Sequence, residues 1–104
     1  MRKKLVYVCS PCRGDYEHNL QRAREYCRAI ALEHPDVVPI APHIYLTQFL
    51  DDTVPEERAL GLGLGIDLLK LCEEIWVYGA DNPSEGMQAE IEYARRVGIL
   101  VREV

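Results

Sequence analysis

Two short segments of this chain concentrate side chains able to do chemistry. The first is Ser10-Pro11-Cys12-Arg13-Gly14, a hydroxyl, a guanidinium and a glycine just ahead of an amphipathic stretch. A glycine lets backbone N–H groups come close to a ligand, and a helix N-terminus adds positive potential. An arginine supplies a planar fork that fits phosphate or carboxylate. Ser10, Arg13 and Gly14 are therefore candidates for an anion cradle; the competing reading is an ordinary turn with a solvated arginine. The second segment is Ser84-Glu85-Gly86-Met87-Gln88-Ala89-Glu90. Ser84 can cap a helix and still present its hydroxyl, and Glu90 follows Gly86 by one turn. Helical side chains lean toward the N-terminus, so a bare Gly86 leaves open space beside the Glu90 carboxylate. The helix dipole favours an ionised carboxylate at that end. Such a group can serve as a nucleophile or general base. The competing reading is one more surface glutamate, like Glu85 or Glu92.

Other signals are weaker. Cys9-x-x-Cys12 invites a redox or zinc reading, but Cys9 closes an apolar run instead of opening a helix, and Cys27 and Cys72 form no second pair. Gly61-Leu62-Gly63-Leu64-Gly65 falls inside a helical stretch and has Ile66 where a dinucleotide fingerprint needs its last glycine. These glycines are expected to permit close helix packing or a bend. His18, His34 and His43 share no ligand spacing, so a metal site would have to be assembled in three dimensions. His43 and Tyr45, with Phe49, fall in a long connection after the second apolar run and form a candidate lid whose aromatic groups could stack on a nucleobase.

The elements that must position these groups follow from hydrophobic period. Apolar runs over 5–9, 37–40 and 75–78 read as buried strands, and 99–101 begins a fourth. Leu20, Ala23, Cys27, Ile30 and Ala31 have helical spacing over 17–34, with Asp15 as cap and Pro35 as stop. Residues 41–52 read as irregular. Thr53-Val54-Pro55-Glu56 reads as a capping box opening a helix to about residue 72, with Leu60, Leu64, Leu68 and Leu71 on one face. Ser84 caps a last helix carrying Met87, Ile91, Ala94 and Val97, which Gly98 ends. The order β-α-β-α-β-α-β predicts a three-layer α/β/α fold with a parallel four-stranded sheet, flavodoxin-like in order 2-1-3-4. Ligands in such sheets bind beyond the strand C-termini at the switch point between the first and third strands. Residues 9–16 and 79–86 fall there.

Composition bounds the partners. The 104 residues carry 12 Lys and Arg against 17 Asp and Glu, a formal charge of −5, with 48% hydrophobic and 28% charged residues. That supports one soluble domain over 1–104. It argues against a nucleic-acid polymer as ligand, since that affinity comes from clustered cations, but leaves room for one phosphate. The apolar run after Arg2, Lys3 and Lys4 stops at Ser10-Pro11, too early for a signal peptide or a membrane span. The expectation is a cytoplasmic protein with no membrane partner.

Tyr7-Val8-Cys9-Ser10-Pro11-Cys12-Arg13-Gly14, Asp67-Leu68, and Ser84-Glu85-Gly86 through Glu90-Ile91-Glu92-Tyr93-Ala94 together resemble the nucleoside 2-deoxyribosyltransferase superfamily. The closest pattern is its deoxynucleoside 5′-monophosphate N-glycosidase branch, along with small domains of the same fold. The resemblance covers essentially the whole chain. It implies that Glu90 attacks the anomeric carbon of a 2-deoxyribosyl group to form a covalent glycosyl-enzyme, and that Asp67 orients or protonates the leaving base. It implies that Ser84 and the Arg13-Gly14 loop, with Ser10 and Gly86, contact sugar or phosphate, with no cofactor and no metal. The expected function is an N-glycosidase or deoxyribosyltransferase acting on a nucleoside or nucleoside 5′-monophosphate, working as a homo-oligomer. The alternative is a non-catalytic nucleotide-binding module of the same fold. The family's active members extend past the fourth strand, and a sequence ending at Val104 favours that alternative.

Overall fold

A computed structural model describes residues 3–12 and 14–104. Four strands and four helices alternate as β1 (Lys4–Cys9), α1 (Tyr16–Glu33), β2 (Val37–Ile40), α2 (Pro42–Leu46), α3 (Pro55–Leu69), β3 (Glu74–Val77), α4 (Glu85–Val97) and β4 (Leu100–Glu103). The sheet has the order β2-β1-β3-β4 and every pairing is parallel. Helices cover both faces, which gives the three-layer α/β/α fold expected from the alternation.

β1 is the central strand, and its alternation divides the core. Val6 and Val8 point to the α1 side and meet Ile30, Val37 and Trp76. Tyr7 and Cys9 point the other way and meet Leu69, Ile75, Val77, Met87 and Ala94. Successive strand residues face opposite sides of a sheet, so one strand builds two different layers. Parallel register sets Tyr7 opposite Ile75 and Cys9 opposite Val77, which brings the ends of β1 and β3 level at the switch point.

The helix ends follow local chemistry. The Asp15 carboxylate accepts the His18 N–H at the start of α1, and the Ser84 hydroxyl accepts the Met87 N–H at 3.3 Å at the start of α4. Gly98 closes α4 with φ of 83°, a left-handed backbone that glycine adopts without steric cost.

Three expectations need correction. The stretch after β2 is not wholly irregular, because Pro42–Leu46 forms the short helix α2, started by Pro42 in its first turn. Thr53 does not cap α3. Its N–H and hydroxyl both bond to the Asp51 carboxylate, so the turn is closed by Asp51 and the cap position passes to Val54. The leucine stripe of α3 is also not the buried one. Leu60 and Leu71 are exposed, while Gly65, Leu69 and, just beyond the helix, Cys72 are buried. The bare Gly65 lets α3 settle onto Tyr7, and that close approach sets the rotation of the helix. No helix among the described residues is long and apolar enough to cross a membrane.

Candidate functional site

Glu90 occupies a position where a helix usually places an apolar residue. Met87, Glu90 and Ala94 share one face of α4, and both Met87 and Ala94 are buried against the sheet. The carboxylate therefore enters the core layer, directly over β1. There it meets the two side chains that β1 turns to this face. The Tyr7 hydroxyl donates a short hydrogen bond to Glu90 Oε2, and the Cys9 thiol donates to Oε1 at 3.4 Å. Each oxygen thus has one donor from alternate residues of the same strand.

The electrostatics follow from that enclosure. Burial pushes the Glu90 carboxyl above its ordinary pKa, and the hydrogen bonds from Tyr7 and Cys9 partly oppose the shift. Burial, with the adjacent Glu90 charge, drives both the Tyr7 hydroxyl and the Cys9 thiol upward. Both therefore stay protonated and act as donors. A half-buried carboxylate with a donor on each oxygen is held in one orientation.

A cavity opens above this group. Tyr7, Ser10, His43, Gly65, Ser84 and Glu90 contribute to its lining. It lies beyond the C-terminal ends of β1 and β3, as the switch-point rule requires. Ser10 is buried at the end of β1, and its hydroxyl lies 3.5 Å from His43 Nε2. Burial pushes the His43 imidazole down to about 4, so it is neutral at physiological pH. Gly65 forms part of the wall facing Glu90. A Cβ there would lie 3.3 Å from the Tyr7 hydroxyl and 3.7 Å from Glu90 Oε2. The bare glycine keeps the carboxylate accessible from α3.

Of the residues singled out by sequence, Glu90, Ser10, Ser84, Gly86 and His43 line one cavity. Tyr45 does not join them; it is exposed and packs edge-on against Phe49. Gly14 lies in a neighbouring hollow that shares Thr47, Leu50, Asp52 and Glu57 with the first. Arg13 lies outside the described residues. Asp67 is not brought into the cleft: it sits on the outer side of α3, its side chain is 64% exposed, and it pairs with Lys70 at 3.5 Å. The reason is helical geometry, since turning Gly65 and Leu69 inward carries residue 67 to the opposite face.

Sequence reasoning passed over Tyr7, Cys9 as a partner of Glu90, Gly65 and Arg58. The Tyr7 signal was available, because a hydroxyl-bearing aromatic in a fully buried strand needs a polar partner. Arg58 carried no such sign. It lines the cavity from α3, and its guanidinium reaches to 4.0 Å from the exposed Glu85 at the start of α4.

The model of a domain of unknown function, DUF7768, matches residues 4–104. The chain belongs to the DUF7768 family. No curated protein matches it. Two solved structures share the fold of this DUF7768 domain. One is a 2-deoxyribosyltransferase from the psychrotolerant bacterium Bacillus psychrosaccharolyticus, with a TM-score of 0.73 and 14% identity over 95% of this chain and 70% of that one. The other is a conserved protein from Enterococcus faecalis V583, with a TM-score of 0.72 and 14% identity over 97% of this chain and 62% of that one. The fold is therefore of the nucleoside 2-deoxyribosyltransferase type.

Proposed function

We propose that this domain cleaves the N-glycosidic bond of a nucleoside or nucleoside 5′-monophosphate, with Glu90 as the nucleophile. The single observation that carries this reading is the Glu90 carboxylate itself. It is half-buried on an apolar helix face, held at both oxygens by Tyr7 and Cys9, and opens into a cavity. A carboxylate confined in this way costs stability, which a purely structural role does not require.

The step follows retaining glycosyl chemistry. A Glu90 oxygen bonds to the anomeric carbon as the carbon–nitrogen bond breaks. Water, or the base of a second nucleoside, then displaces the ester. Tyr7 and Cys9 hold the carboxylate in line for attack. Ser84 at the N-terminus of α4, with Arg58 beside it, offers donors and positive charge to a sugar hydroxyl or a 5′-phosphate. Neutral His43 and Ser10 supply a donor and an acceptor suited to the base. The exposed Leu60 and Leu62 of α3 and the Tyr45–Phe49 pair offer apolar surface for self-association.

The test is a panel of nucleosides, deoxynucleosides and their monophosphates, with free base followed by chromatography and Glu90→Ala as the control. Base release abolished by the substitution is the expected result. Ligand binding without base release would instead make the domain a nucleotide-binding module.

A further inference from the structure

The cavity at Glu90 is small. Its volume is about 110 Å³, whereas pockets that enclose a drug-sized ligand run to roughly 300–1,000 Å³. A nucleoside whose anomeric carbon reaches Glu90 therefore extends beyond the cavity. One wall leads onward. Thr47, Leu50, Asp52 and Glu57 also line the neighbouring hollow, whose volume is about 630 Å³. Cavity and hollow together have the size of an ordinary ligand site.

The shared wall indicates which end of the ligand crosses it. Thr47 follows His43 by one turn of α2, and its hydroxyl donates to the His43 carbonyl. His43 and Ser10 are the groups suited to the base. From Thr47 the hollow continues along Gln48 and Phe49, while α4, which carries Ser84, contributes no described residue to it. The hollow thus extends the base side of the cavity and not the side of Ser84.

Its lining suits a second ring. Tyr16 at the start of α1 and Phe49 after α2 both face it, with Leu50 beside them. Phe49 is exposed, and Tyr45 braces its ring edge-on at a centroid distance of 5.2 Å. Aromatic rings pair favourably with another ring in offset-stacked or edge-to-face contact. The Tyr45–Phe49 segment, expected from its composition to cover a nucleobase, therefore stands beside the cavity at the place an enlarged base would reach.

We propose that this hollow is a subsite for an aromatic arm on the base, packed against Phe49 and Tyr16 while Glu90 meets the anomeric carbon. The preferred substrates are nucleosides or nucleotides whose base carries an arylmethyl group on its exocyclic nitrogen, the edge remote from the sugar. This rests on the N-glycosidase reading above and narrows its substrate class; the bond cleaved is the same.

The test compares N4-benzyl- with N4-methyl-2′-deoxycytidine, and N6-benzyl- with N6-methyl-2′-deoxyadenosine, as nucleosides and as 5′-monophosphates. Each pair differs by one phenyl ring, and the alkylated nitrogen keeps the two leaving groups alike. Free base is followed as the excess over the Glu90→Gln protein, which removes spontaneous cleavage. One aromatic contact contributes roughly 2- to 10-fold, so two give an expected kcat/KM ratio of about 10-fold or more in favour of the benzyl member. Phe49→Ala is expected to lower that ratio by about 3-fold or more, and Tyr16→Leu, which keeps an apolar side chain at the start of α1, is the second variant. A smaller ratio, with either member turned over, overturns the subsite and leaves the N-glycosidase reading intact. A ratio that neither variant lowers does the same, as does turnover confined to other members of the broader panel. Turnover of none of these nucleosides and nucleotides overturns both.

Discussion

The two faces of the sheet are built from the same strand and behave as opposites. On the α1 side, Val6 and Val8 pack with Ile30, Val37 and Trp76 into a layer whose contacts are apolar. On the α3/α4 side, Tyr7 and Cys9 stand at the intervening positions, and α4 lays a carboxylate over them. The first face is packed from apolar side chains around Trp76, whose ring N–H donates to Glu74 and whose face carries Arg102. The second forgoes some apolar packing to hold a carboxylate, and it is the face with the cavity.

The contrast is tested most strongly at Glu90. Glu90→Gln is expected to reduce base release by ~1,000-fold or more, about 4 kcal/mol of transition-state stabilisation. The same change is expected to raise the melting temperature at pH 7. Burial holds the folded carboxyl above its unfolded value, so ionised Glu90 opposes folding, and stability falls as pH rises through the carboxyl range. The gain from glutamine should be present above that range and vanish below it, which thermal melts from pH 3 to pH 8 will read. Ile30→Ala on the other face is the counterpart, with an expected loss of about 2–4 kcal/mol by denaturant unfolding and unchanged kcat in the folded fraction. Loss of kcat there would mean that the faces are not independent.

Tyr7→Phe sharpens the comparison further. It removes a hydrogen bond to a charged group, worth about 1.5–3 kcal/mol, or roughly 10- to 100-fold in kcat/KM. Since that bond lowers the Glu90 pKa, the acidic limb of the pH–rate profile should move to higher pH. Ser84→Ala has the smallest expected effect. Losing the cap should cost about 1 kcal/mol by unfolding, and a change in KM for monophosphates larger than that for nucleosides would mark Ser84 as a phosphate contact.

Much of this organisation is legible in the sequence, and the parts that are not share a cause. The sheet order follows from the alternation of strands and helices, because parallel pairing and right-handed crossovers leave few alternatives. Glu90 is legible because it follows Gly86 by one helical turn and falls in the stretch that resembles the deoxyribosyltransferase pattern. Asp67 is misplaced by sequence reasoning because the rotation of α3 is set by a tertiary contact. Leucines at Leu60, Leu64, Leu68 and Leu71 announce one buried face, yet the contact of Gly65 with Tyr7 selects another. A glycine carries no hydrophobic signal, so the helix face that packs most tightly is the one periodicity reads least well. α2 is hidden for a related reason: five residues make too short a helix to show a period.

The claim that Glu90 is the nucleophile is tested most directly by mass spectrometry of the protein quenched in acid during turnover. A 2′-fluoro-substituted nucleoside chosen from the active members of the panel would slow breakdown of the ester. The expected result is protein heavier by one glycosyl residue, with the added mass on the peptide containing Glu90 and absent from Glu90→Gln. Base release with the protein unmodified, or with the sugar on another residue, would contradict it.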